Sequence, residues 1–300
     1  MKALLGATVG EFVGPLLLGT AVAHTMAVGI IKPELLHQLS SGNVYLIIIA
    51  GVGGAIVWNL VTWFLGLPSS SSHALIGGLL GAGLASAGMK GVAITNMFEM
   101  ALLPLLISPL IGFVLGFLVF SSIRFCFAGA PRRVGKFFVT LQTPSMLFLA
   151  GAHGSNDAQK SMGVIAILLA AASGNGPGDF HVPEWVVVSC AAAIALGLSF
   201  GGWRIVKTVG YGICRLEPVH SFASQLTSTA VILGASLLGG PVSASEVLAS
   251  SVMGVGASHR PSAVRWPVTE RIAYAWIFTI PISAAIAAGA CWILERLIRV

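Results

Sequence analysis

Residues 97 to 123 contain a single charged side chain, Glu99, and eight further stretches of the 300-residue chain are nearly as apolar: 8 to 31, 44 to 65, 70 to 88, 137 to 173, 184 to 202, 220 to 238, 243 to 258 and 271 to 296. An apolar run of about 20 residues is what a helix needs to cross a bilayer. Charge bears the reading out: 16 Lys and Arg plus 10 Asp and Glu make 9% of the chain, where a soluble domain carries about 25%. No water-exposed surface can be built from so few charges. The pattern predicts an all-α, polytopic membrane protein of about nine segments, and it excludes a soluble enzyme, a nucleic-acid reader and a secreted disulfide scaffold. The four cysteines are scattered without metal-ligand spacing and read as reduced, small core residues. The apolar run that follows Lys2 is longer than a signal peptide and reads as a span.

The net charge of +6 resides in short loops. Residues 124 to 136 hold Arg124, Arg132, Arg133 and Lys136 without an acid, and 174 to 184 hold Asp179 and Glu184 without a base. The first loop is expected in the cytoplasm and the second outside. Arg204, Lys207 and Arg215, and then Arg260, Arg265 and Arg271, fall on the cytoplasmic side two and four crossings later. This places the N-terminus inside, and the C-terminus outside if all nine segments cross.

An internal repeat appears when 66 to 83, GLPSSSSHALIGGLLGAG, is laid over 239 to 256, GGPVSASEVLASSVMGVG, at an offset of 173. Seven of the eighteen positions are identical, among them Gly66/Gly239, Pro68/Pro241, Ser70/Ser243 and Ser72/Ser245. The copies are the third and eighth segments. Five crossings apart, they run in opposite directions, the signature of an inverted-topology repeat with its substrate site near the midplane. Both copies are short, and the fifth segment is overlong with a polar string, His153 to Asp157, at its middle. Short and broken helices are therefore expected, shielded by protein or lining a cavity.

Each copy places proline and then hydroxyls at a helix start: Ser69 to Ser72 with His73, and Ser243 and Ser245 with Glu246. Unpaired N–H groups and the positive end of the helix dipole favour an oxyanion there, although serine is also an ordinary N-cap. Asn156 and Asp157 sit where the backbone is expected to unwind, so that free carbonyls, an amide and a carboxylate ligate a small hard cation. Lys160, three residues on, either neutralises Asp157 or offers a positive charge to an anion. Glu11 and His24 are candidates for a proton relay or for helix-helix bonding, His153 for a gate or a satisfied buried histidine, and Gln225, Thr227, Ser228 and Thr229 for a polar cluster. Trp276, Phe278 and Pro281 read as packing and a kink. Ser70 and His73 have the spacing of a nucleophile and base, but no orienting third group accompanies them, so a membrane hydrolase is disfavoured.

The string AHGSNDAQKSMGVIA at 152 to 166 resembles the second signature of inorganic phosphate transporters of the PiT family, and GLPSSSSHALIGGLLGAG resembles their first-repeat element. GPVSASEVLASSVMGVG and AWIFTIP at 275 to 281 are similar to the matching second-repeat stretch and the last helix. The resemblance covers essentially the whole chain. It implies sodium- or proton-coupled symport of inorganic phosphate by alternating access in the plasma (inner) membrane, in lipid, commonly as a homodimer, with no cofactor beyond the coupling ion and no nucleic-acid partner. By position it assigns Ser70, Ser71, Ser72, Ser243 and Ser245 to the substrate region and Asn156 and Asp157 to cation and phosphate, with no metal beyond sodium there; Lys160 joins the expected substrate set on its charge. The alternatives are a permease for sulfate or another tetrahedral anion, and a truncated, non-transporting subunit. The second is kept because the family's first Asn-Asp signature is expected before Met1: Asn156 precedes Pro241 by 85 residues, and 68 − 85 = −17. Residues 1–130 are read as a first, N-terminally incomplete repeat and 131–300 as a second. Glu246 opposite His73 and Ala244 opposite Ser71 are read as departures from two-fold symmetry.

Overall fold

The computed structural model describes residues 2–30, 41–89, 92–131, 133–173, 181–200 and 203–298. Asp179 and Arg132, on which the loop-charge reading partly rests, lie outside them. Helices dominate, and no β-strand occurs among the described residues. In chain order they are α1 (Lys2–Leu17), α2 (Ala21–Ile30), α3 (Ser41–Leu65), α4 (Ser71–Ala87), α5 (Leu103–Cys126), α6 (Val134–Ser173), α7 (Glu184–Ser199), α8 (Pro218–Leu237), α9 (Ala244–His259) and α10 (Trp266–Ile298). A short helix and a π-turn lead into α5, and another such pair precedes α8. Every apolar run read from the sequence carries a helix. Among the described residues, three stretches can cross a membrane by length and composition, Gly42–Leu65, Thr95–Cys126 and Trp266–Leu297, or four if the bent pair α1 and α2 is one span. The other runs are short, as α4, α7 and α9 are, or carry the polar residues of α6 and α8.

The helix break is not where the sequence placed it. α6 is continuous through His153 to Asp157, so the carbonyls there stay within the helix. The reason lies in spacing: His153, Asn156, Asp157 and Lys160 recur at helical intervals, and partners on neighbouring helices satisfy each of them. The break falls instead in the first segment, where α1 and α2 meet at 73°. Gly19 adopts a left-handed φ of 77° at that corner, which ends α1 without a Cβ clash. The new amide end of α2 is covered from α6, where Gln159 Oε1 accepts from Val22 N at 2.8 Å.

The repeat is legible in the backbone. α3 ends with Gly66 at φ 70°, and α8 ends with Gly239 at φ 74°. Leu67 N donates to Thr62 O and Gly66 N to Trp63 O; 173 residues on, Gly240 N donates to Ala235 O and Gly239 N to Ser236 O. Each set closes a helix end by the Schellman pattern, which needs a left-handed residue and so selects glycine. Packing follows the same shift. α4 packs on α3 and α10, and α9 packs on α8 and α5. An apolar cluster with Met26, Ile48, Ile76, Leu105 and Ile167 joins the first-half helices to α6, while Ala152, Ile232, Val242 and Val247 join α6 to α8 and α9. Leu60, Phe64, Leu110, Phe148, Ile277 and Leu297 are exposed, the lipid-facing character expected of such a chain.

Candidate functional site

The starts of α4 and α9 meet at the middle of α6. Ser70 caps α4, its side chain accepting from His73 N at 3.1 Å. Ser72 Oγ donates to Val242 O, in the loop before α9, at 3.2 Å. In return Ser245 Oγ donates to Ser69 O, in the loop before α4, at 3.2 Å. The two bonds are the same bond shifted by 173 residues. Ser243 occupies the cap position of α9 without a side-chain cap bond, and its hydroxyl lies 3.3 Å from that of Ser245. Ser70, Ser72 and Ser243 are buried, Ser245 is half-buried and Ser71 is exposed.

α6 supplies the charges. Lys160 is buried, and its ammonium donates to Asp157 Oδ1 at 2.6 Å, to Val242 O at 2.6 Å and to Ser72 Oγ. An ammonium at that depth is tolerated only with such partners. Asp157 is partly open and faces Ser71, and its other oxygen is 3.6 Å from His153 Nε2. The opposite ring nitrogen of His153 contacts Glu11 Oε1 on α1. Polar groups thus run without a gap from α1 through α6 to α4. Asn156, fully buried, donates from Nδ2 to Ser236 Oγ at 2.7 Å and to Gly240 O at 3.3 Å, and its Oδ1 accepts from Val242 N at 3.2 Å. Its amide fastens the end of α8 to the loop before α9.

All the residues singled out from the serine runs and the Asn-Asp-Lys string are therefore together. The sequence reading gave too little weight to Glu11, His153, Trp276 and the His73/Glu246 position, and it missed Gln159. Trp276 is more than packing, because its indole N–H donates to Pro68 O at 3.0 Å and holds the loop before α4. The periodicity of polar residues in α6 was the available signal for Gln159, whose amide also donates to Ser155 Oγ at 2.9 Å. His73 and Glu246 are buried and 2.7 Å apart. Pro281 sits inside α10, which continues through it. The described residues contain no group of three or more His, Cys, Asp or Glu able to hold a metal.

The family model described as "Phosphate transporter family" matches residues 1–287. The chain belongs to that family. A "Probable low-affinity inorganic phosphate transporter" of Bacillus subtilis (strain 168) is 40% identical, over 98% of this chain and 86% of the relative. One of the same name from Rhizobium meliloti (strain 1021) is 43% identical, over 93% and 81%. Among solved structures, "The sodium-dependent phosphate transporter" superposes with a TM-score of 0.86 at 22% identity, covering 98% of this chain and 90% of that one, which establishes a shared fold. The names describe transporters and not enzymes, so the hydrolase reading is set aside. Membership and the apolar helices make this an integral membrane protein.

Proposed function

We propose that the chain transports inorganic phosphate by alternating access, coupled to entry of sodium or a proton, at the meeting point of α4, α6 and α9. One observation carries the reading: a buried ammonium, Lys160, held between a serine-bearing helix start and a partly open carboxylate. In this arrangement Asp157 and Lys160 cancel. A monovalent cation at Asp157 and Ser71 takes over the carboxylate and leaves Lys160, Ser70 and Ser72, with Ser243 and Ser245 opposite, to face an anion. Charge then closes at neutrality with singly charged phosphate, which a low-dielectric site favours. Asn156 Oδ1 contacts the cation by giving up its bond to Val242 N, or its Nδ2 contacts phosphate by giving up its bond to Gly240 O, so loading the site and loosening the loop before α9 are one event.

The reciprocal bonds, the paired helix ends and the matching packing at a shift of 173 support two inverted repeats, 1–130 and 131–300, rocking about this point in a nine-segment protein of the plasma (inner) membrane. Inorganic phosphate and lipid are the partners proposed, with a homodimer as the assembly. The test is labelled phosphate uptake in a transporter-deficient cell. Asp157→Asn is expected to lose uptake at matched membrane abundance; uptake equal to the parent refutes the role of Asp157. Excess sulfate is expected to leave uptake unchanged, and full competition would instead favour a general tetrahedral-anion permease.

A further inference from the structure

The substitution of His73 by Glu246 between the two repeat copies has a geometric cause: these two residues are each other's partners. Position 73 shifted by 173 is position 246, so the repeat equivalent of His73 is the residue it touches, at 2.7 Å. Positions that meet their own equivalent lie on the axis relating the copies, as in a two-fold interface where a residue faces its own copy. Identical acidic residues cannot share such a place, because two buried carboxylates repel. One histidine and one glutamate turn the self-contact into a donor and an acceptor. The neighbouring residues carry the same relation, since Ser72 bonds the loop before α9 and Ser245 bonds the loop before α4. His73 also reaches Ser70, the α4 cap, through its own backbone N–H.

We infer that His73 and Glu246 are a positioning pair, a buried tie on the axis between the repeats that sets the spacing and rotation of the two serine-bearing helix starts and thereby the affinity for phosphate. Neither residue touches the anion. The inference rests on the phosphate reading of this site, but the tie has a consequence that does not. Because the two places are equivalent by the repeat, the partners can be exchanged: His73→Glu combined with Glu246→His rebuilds the contact in the reverse sense.

The test is a double-mutant cycle, read in two ways on the full chain: the KM and maximal rate of labelled phosphate uptake, and the thermal unfolding midpoint of the purified protein. His73→Ala and Glu246→Ala are each expected to raise KM by about tenfold or more, and the exchanged pair to return it to within about threefold of the parent, the coupling expected of residues in direct contact. His73→Asn, which keeps a donor near the Nδ1 position, is expected to retain most of the affinity. If the alanine variants do not fold, the exchanged pair and His73→Asn carry the test. An exchanged pair no better than the worse single variant in both readouts overturns the inference, as do alanine variants with parental KM. A parent that takes up no phosphate, with an unfolding midpoint restored by exchange, overturns the phosphate reading and the effect on affinity while supporting the tie.

Discussion

The starts of α4 and α9 share a backbone and differ in chemistry. Both follow a glycine-closed helix end, both open on proline and serine, and each sends one hydroxyl to the other's loop. The α4 start has a working Ser70 cap and an exposed Ser71 beside Asp157, and its Ser72 accepts from Lys160. The α9 start has Ala244 in place of Ser71 and a Ser243 that caps nothing, and its loop is held by Asn156. α6 contributes its polar face once: its carboxylate lies toward the α4 start, and its ammonium bridges Ser72 on α4 and Val242 O in the loop before α9. The backbones of the two starts match and their side-chain partners do not, so the two starts should respond unequally to matched substitutions.

The largest effect is expected where the asymmetry is charged. Lys160→Met leaves Asp157 only His153, 3.6 Å away, as a charged neighbour, and because Asp157 is partly open the cost should fall at or below the about 3–5 kcal/mol of a broken buried pair. Uptake should disappear, and the unfolding midpoint of the purified protein should fall. Next is Asn156→Ala, which forfeits three hydrogen bonds of about 1 kcal/mol each and frees the loop before α9. The same unfolding assay should show a fall between those of Lys160→Met and a single-hydroxyl deletion. Gly66→Ala and Gly239→Ala strain matching left-handed positions and should each cost about 1–2 kcal/mol from the backbone alone. Gly239→Ala should cost the more of the two, because its Cβ would meet Thr25 Oγ1 at 3.0 Å, and a smaller cost than that of Gly66→Ala would contradict this.

Single hydrogen-bond deletions sharpen the contrast. Ser72→Ala removes a hydroxyl that also serves an ammonium, worth about 1.5–3 kcal/mol, while Ser245→Ala removes a neutral bond of about 0.5–1.5 kcal/mol. Phosphate KM should rise more for Ser72→Ala; the reverse order would move the charged half of the site to α9. Trp276→Phe, which loses one bond to Pro68 O, should cost about 1 kcal/mol and change uptake least.

Much of this was legible in the amino-acid order. Apolar runs located the helices because a bilayer admits few alternatives to them. The offset of 173 located the two serine starts, and Asn156, Asp157 and Lys160 marked the charged face. The break was misplaced because a polar string inside an apolar helix looks like an interruption when its partners are out of sight. Glu11 on α1 and Ser72 on α4 are those partners, far away in sequence. Pro15 and Gly19 in the first segment carried the true signal for a corner. His73 opposite Glu246 looked like lost symmetry, since aligning two copies cannot show that the aligned residues touch.

The most direct measurement of the central claim is accumulation of labelled phosphate by proteoliposomes containing only the purified protein, under an imposed sodium or proton gradient. Concentrative uptake driven by one of those gradients, undiminished by excess sulfate and absent in Lys160→Met, is the predicted result. No accumulation under either gradient, or equal accumulation by Lys160→Met, would contradict the account.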